Sequence, residues 1–332
     1  MAGLIRTTAM AAGCFGGLGA LYGLLSEQSK RARRIIGRPT GAPLRADGVY
    51  LPDGTGPLAA SDPRASEPCG TPAPGRLRHA ASASHAGASE PIRLAMLGDS
   101  SAAGLGAEIE DHLPGVLVAR GLAEQSGRPV QLYTYAVSGS TSRDLASQVE
   151  LALTNAPDVA ITMIGANDVT RRIQPRTAAA LLGDAVRLLR AAGIAVVVGT
   201  CPDLGVVRPI PQPLRGCART WSLTLARLQR VAVQRAGGHA VPLADLLARE
   251  FLTRADYFSR DQFHPSDAGY QATAAVLLPV VCTAVGTWDG GALPQLPSRS
   301  AAAEARRVTA RLTAAANRHL DRVLRRTAMA EA

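Results

Sequence analysis

Ser100 stands in the phrase Gly98-Asp99-Ser100-Ser101-Ala102-Ala103-Gly104-Leu105-Gly106, directly after an apolar run. A serine hydroxyl is a weak nucleophile until a base takes its proton. His264 can be that base. Asp261, three residues earlier in Asp261-Gln262-Phe263-His264, can hold the imidazole in the tautomer that accepts the serine proton. Attack on a carbonyl also needs donors for the charge that develops on its oxygen. The backbone N–H groups of Ser100 and Gly139, in Val137-Ser138-Gly139-Ser140-Thr141, are donors of that kind. So is the side-chain amide of Asn167, in Gly165-Ala166-Asn167-Asp168. Gly139 suits the task because a residue without Cβ lets a substrate approach the backbone. Nucleophile, base, orienting acid and oxyanion donors are the parts of an acyl transfer.

Other chemistries fit less well. Taken alone, Ser100 reads first as an ordinary helix cap. The glycine-rich turn lacks the Gly-Lys-Ser/Thr ending of a phosphate cradle, and no glycine stands three places after Gly106, as a dinucleotide site requires. Neither Cys-x-x-Cys nor His-Glu-x-x-His occurs, so no metal and no cofactor is expected. His79 and His85 read as exposed, and His112, His239 and His319 as structural or surface residues. Asp99 and Asp168 adjoin site residues and are expected to orient turns by hydrogen bonds, not to act as bases. Cys201 and Cys217 read either as a bridge across one loop or as free thiols.

The elements that must position these residues alternate along the chain. Apolar runs at 92–97, 130–137, 159–164 and 194–199, and a weaker one at 239–243, read as strands. Stretches near 110–124, 142–153, 177–192, 219–236 and 266–285 read as helices. Such alternation predicts a parallel sheet covered on both faces. Ligands of such sheets sit at the carboxyl ends of the strands. Ser100, Gly139 and Asn167 each follow a strand there. The proline-rich residues 202–215, after the fourth strand, are expected to form one wall of a substrate cleft.

At these residues the chain resembles the SGNH, or GDSL, hydrolase superfamily. Four blocks appear in the family order: Gly98-Asp99-Ser100, then Gly139, then Gly165-Ala166-Asn167-Asp168, then Asp261-Gln262-Phe263-His264. The resemblance covers about residues 92–286. It implies a flavodoxin-like three-layer α/β/α sandwich on a five-stranded parallel sheet, and ester hydrolysis through an acyl-serine. It also implies a small-molecule or lipid ester as substrate. An acyltransferase on the same fold, delivering the acyl group to a sugar or lipid, is the alternative. Many members carry an Asn shortly before the second-block glycine, where this chain has Tyr135-Ala136; that departure concerns the supporting residues. The apolar start and the Gly-Asp-Ser-Ser-Ala-Ala-Gly phrase are similar to membrane-associated or exported esterases of actinobacteria.

Outside the blocks the chain divides into an N-terminal segment (1–38), a linker (39–90), the catalytic domain (91–290) and a C-terminal helix (291–332). Residues 7–26 carry no charge, about the length a membrane-spanning helix needs. Arg6 precedes this run, and Lys30, Arg31, Arg33, Arg34 and Arg38 follow it. An uncleaved anchor is the preferred reading, ahead of a signal peptide or lipidation at Cys14. Flanking charge alone places the catalytic domain on the cytoplasmic face; the resemblance points to the cell envelope. The Pro-, Gly-, Ala- and Ser-rich linker has too few apolar residues for a core, although residues 46–54 are expected to pack on the domain. Val308, Leu312, Ala316, Leu320 and Leu324 recur every four residues in a basic helix, read as packed on the domain or lying on a membrane surface. The net charge of +10 among 332 residues first suggests nucleic acid. Nearly all of it lies at the two ends, and residues 39–299 carry about +1, so no nucleic-acid partner is expected.

Overall fold

Alternate residues of the run at 92–98 enter different cores: Leu94 and Met96 one, Ala95 and Leu97 the other. A strand buried on both faces has to be apolar at nearly every position, which is why this run shows no polar alternation. The computed structural model describes residues 22–37, 43–61 and 90–288. In chain order these form helix α1 (22–36), strand β1 (Gly48–Tyr50), β2 (Ile92–Gly98), α2 (Pro114–Ser126), β3 (Val130–Thr134), α3 (Leu145–Leu153), β4 (Val159–Met163), α4 (Ala166–Thr170), α5 (Pro175–Ala191), β5 (Ala195–Gly199), α6 (Leu214–Arg235), β6 (His239–Val241), α7 (Leu243–Thr253) and α8 (Asp267–Ala284). Proline opens α2 and α5, where its missing N–H costs nothing. Gly127 ends α2 in a left-handed conformation.

The sheet order is β1-β3-β2-β4-β5-β6. The five strands β2 to β6 are parallel, and their order is that of a flavodoxin-like sheet. Helices α2, α7 and α8 cover one face, burying Leu122, Leu247 and Leu277 against Leu94, Met96 and Ile161. Helices α3, α5 and α6 cover the other with Leu145, Leu182 and Val233. The three-layer sandwich is thus present, with a six-stranded mixed sheet in place of five parallel strands.

The added strand β1 comes from the stretch expected as linker, and it pairs antiparallel with β3. Its Tyr50 is fully buried and donates its hydroxyl to Ala46 O at 2.5 Å. Three residues in a proline- and glycine-rich setting are too few to show periodicity; a single aromatic anchor holds them. Helices α4 and α7 were also not expected.

Residues 22–26, the last part of the uncharged run, open α1. This helix packs against the rest of the described chain, with Ala32 in an apolar cluster that includes Val169, Ile173, Ala178, Leu204, Val207 and Leu223. Among the described residues no helix is long and apolar enough to cross a membrane. Residues 1–21, most of the expected linker (62–89) and the segment expected as a basic C-terminal helix lie outside the described residues.

Candidate active site

Gly98, the last residue of β2, has φ 130°, and a Cβ there would lie 1.9 Å from Met163 O. Only glycine lets β2 end this close to β4, and the chain turns there to present Ser100. Asp99 holds the turn: its Oδ1 accepts from Ser101 N at 2.9 Å and from Ser101 Oγ at 2.7 Å. Burial pushes the Asp99 carboxyl above its ordinary range, and the Ser101 bonds offset part of that push.

Ser100 Oγ is 2.9 Å from His264 Nε2, and His264 Nδ1 is 2.5 Å from Asp261 Oδ2. Ser100 and His264 are each only 7% exposed. Asp261 sits in a tight turn in which Gln262 takes a left-handed φ of 57°. Its other oxygen accepts from Phe263 N, His264 N and Ser259 Oγ at 2.8–2.9 Å. Burial alone would raise this carboxyl. The imidazole and the two backbone N–H groups more than reverse that and hold it at about 2. The carboxylate is therefore fixed in charge and in direction, as an orienting acid must be.

Gly139 has φ 86° in the loop after β3. The nearest atom to the position of a Cβ on it is the Arg171 guanidinium, at 3.6 Å. Among the described residues the N–H groups of Ser100 and Gly139 are not taken up by backbone carbonyls. Asn167 lies at the start of α4, after β4, and donates one amide hydrogen to Ser140 O at 3.0 Å. That bond fixes the amide and ties the third block to the second. Asp168, fully buried, makes a second tie by accepting from Ser142 N at 3.1 Å and Ser142 Oγ at 3.1 Å. Asp99 and Asp168 thus do the orienting work expected of them.

Two glutamines escaped the sequence reading. Gln148 of α3 accepts from Gly98 N at 2.7 Å and donates to Gly98 O at 2.9 Å and Ser140 Oγ at 3.1 Å. Gln229 of α6 accepts from Cys201 N at 2.7 Å and donates to Ile164 O at 3.0 Å. Each clamps backbone at a strand end. The signal was present: both occupy positions in the buried stripes of their helices, where an apolar residue is the rule. A buried polar residue there has a partner.

Beside the Ser100–His264 pair lies a mostly apolar cavity of about 100 Å³. Phe251, Phe258 and Phe263 line it, with Leu204 and Val207 from the proline-rich loop. Phe251 and Phe258 meet edge to face at 5.2 Å, as do Phe263 and the His264 ring at 4.9 Å. Asp203, in the same wall, is buried and raised by that burial, with Arg219 partly offsetting the rise. The two form an ion pair at 3.1 Å. Cys201 and Cys217 are free thiols, the first buried and the second exposed. Among the described residues no cluster of side chains is arranged to hold a metal ion.

Residues 96–272 match the model of the GDSL-like lipase/acylhydrolase family. The chain is 41% identical over 273 residues to a GDSL-like esterase of Mycobacterium tuberculosis, covering 80% of this chain and 79% of that protein. Among solved structures, TesA is 21% identical, with a TM-score of 0.45 over 58% of this chain and 97% of that one. A lipase/acylhydrolase from Enterococcus faecalis is 17% identical, with a TM-score of 0.45 over 63% of this chain and all of that one. A match across the four blocks, together with a relative of this identity over most of both chains, is decisive: the chain belongs to the GDSL-like lipase/acylhydrolase family and is an ester hydrolase.

Proposed function

We propose that Ser100 is the nucleophile, His264 the general base and acid, and Asp261 the residue that orients His264, in hydrolysis of carboxylic esters through an acyl-serine. The single observation that carries this reading is the unbroken series Ser100 Oγ, His264 Nε2, His264 Nδ1, Asp261 Oδ2 at the edge of an apolar cavity. His264 takes the hydroxyl proton as Oγ attacks the ester carbonyl. The charge on the carbonyl oxygen is met by the N–H groups of Ser100 and Gly139 and by the Asn167 amide hydrogen that Ser140 leaves free. His264 then protonates the departing alcohol. Water, activated in the same way, releases the acid and restores the serine. The apolar cavity beside Ser100 suits the acyl group, since its lining offers little to a charged chain.

A panel of aryl esters of increasing acyl length tests this. Ser100→Ala should remove covalent labelling by a serine-directed phosphonate and lower kcat by roughly 10⁴–10⁶. Ser101→Ala should keep both activities. Labelling of Ser101 would make it the nucleophile instead. Product analysis with an alcohol acceptor present separates hydrolysis from acyl transfer, and an acylated acceptor as main product would favour the transferase.

A further inference from the structure

We propose that Gln28 of helix α1 is a positioning residue for the cleft wall and thereby sets which acyl groups the site accepts. The inference rests on the esterase reading above, because the cavity must be an acyl cavity for its wall to select substrates.

The inward face of α1 comprises residues 25, 28, 29, 32 and 36, all buried or half-buried, while the residues between them are exposed except at 26. Within this stripe Ala32 packs and Gln28 makes hydrogen bonds. Gln28 Nε2 donates to Gln212 O at 2.6 Å, and Leu214 N donates to Gln28 Oε1 at 3.1 Å. The side chain therefore grips the backbone on both sides of Pro213, at the point where the wall loop becomes helix α6. It satisfies one of the N–H groups that the start of that helix leaves without an intrahelical partner.

The same device occurs twice at the catalytic centre. Gln148 and Gln229 each accept from one backbone N–H and donate to a backbone carbonyl, and each fixes a strand end beside the site. Gln28 is the third such clamp, and it comes from outside the residues matched by the family model. The near end of the wall has its own ties. Asp203 accepts from Gly205 N at 2.7 Å, and Ser222 Oγ accepts from Leu204 N at 3.1 Å. The far end is held by Gln28 and by Arg208, which donates to Leu252 O at 3.3 Å. Leu204 and Val207 line the cavity and belong to the apolar cluster that contains Ala32. Leu204 and Val207 thus link the packing of α1 to the cavity, and releasing Gln28 should let that wall give.

The test uses the full chain with three variants: Gln28→Ala, Gln28→Glu and Arg31→Ala. Each is assayed on aryl esters of short and long acyl chains. Loss of two exposed-to-half-buried hydrogen bonds should shift the long-to-short ratio of kcat/KM about fivefold or more in Gln28→Ala, mainly through KM. Gln28→Glu keeps the acceptor for Leu214 N and loses the donor to Gln212 O, so it should fall between wild type and Gln28→Ala. Arg31 is exposed on the same helix and its replacement should leave the ratio unchanged. Amide exchange of the peptide containing Leu214 should quicken in Gln28→Ala and not in Arg31→Ala. Superimposed acyl profiles for wild type and Gln28→Ala, or an equal shift in Arg31→Ala, would overturn the proposal while leaving the esterase reading intact. A wild-type chain that turns over no ester and is not labelled at Ser100 would remove both.

Discussion

The turns of the proposed triad and the cleft wall are held in different ways. The turns that carry Ser100, Asp261 and His264 are tied chiefly within themselves, whereas Asn167 and Asp168 reach back to Ser140 and Ser142. Asp99 bonds Ser101 two residues on, and Thr141 and Asp144 form a reciprocal cap. Asp261 accepts from Phe263 and His264, its immediate successors. The wall at 202–213 has a local tie from Gly205 N to Asp203 but otherwise depends on distant residues: Ser222, Leu252 and, from 184 and 186 positions away, Gln28. Local ties form whenever their short segment adopts its turn, so the reacting atoms keep their geometry when surrounding packing shifts. Long-range ties make the wall adjustable by changes elsewhere. Chemistry and selectivity are therefore separable here.

Four substitutions and one change of condition bear on that contrast. The largest effect belongs to Asp261→Asn, which should lower kcat by roughly 10⁴ because the amide favours the wrong imidazole tautomer; single-turnover kinetics will show it, with the folded state unchanged by circular dichroism. Asn167→Ala removes one oxyanion donor and should cost roughly 10²–10³ in kcat with KM nearly constant, since the charge appears only in the transition state. A change confined to KM would move Asn167 to substrate binding. Gln148→Leu leaves the buried Gly98 N–H unpaired and should lower stability by about 1–3 kcal/mol, read from the denaturant midpoint. Gln28→Ala, by contrast, should alter selectivity with less loss of stability, because its partners lie nearer to water. Equal stability losses for the two would weaken the distinction between catalytic frame and wall.

The smallest effect is on pH dependence. The folded-state value of Asp261 is held at about 2, below the ordinary 3.8. A carboxyl lowered on folding contributes stability that is fully present above its unfolded value and is lost as pH falls through the folded one. The stability difference between wild type and Asp261→Asn should therefore be constant above about pH 5 and shrink between pH 4 and 2. Urea midpoints across that range measure it. A difference that stays flat to pH 2 would mean that Asp261 gains nothing on folding from its three donors and the imidazole.

The same contrast explains what could be read from the sequence. Ser100, Asp261 and His264 were legible because each lies in a short phrase whose residues bond one another. Gly139 and Asn167 were legible because strand ends locate them. Gln148 was not, since its main partner is 50 positions earlier and no local spacing links them. The strands at 92–98 and 159–163 were clear from apolar runs, while β1 had only Tyr50 to mark it. Helix α7 was hidden because Leu243, read as the end of a strand, is the first residue of a helix that buries it from the other side.

Strand β1 has a consequence for handling the molecule. Its pairing with β3 occupies backbone groups that would otherwise form an open sheet edge. Open edges are templates for pairing with a second chain. A chain that begins at residue 90 would lose β1 and the Tyr50 anchor. It would expose the outer edge of β3 to solvent and to its neighbours. Such a trimmed chain should gather into aggregates even though Ser100, Asp261 and His264 all remain, and residues 43–61 are the natural guard against that fate.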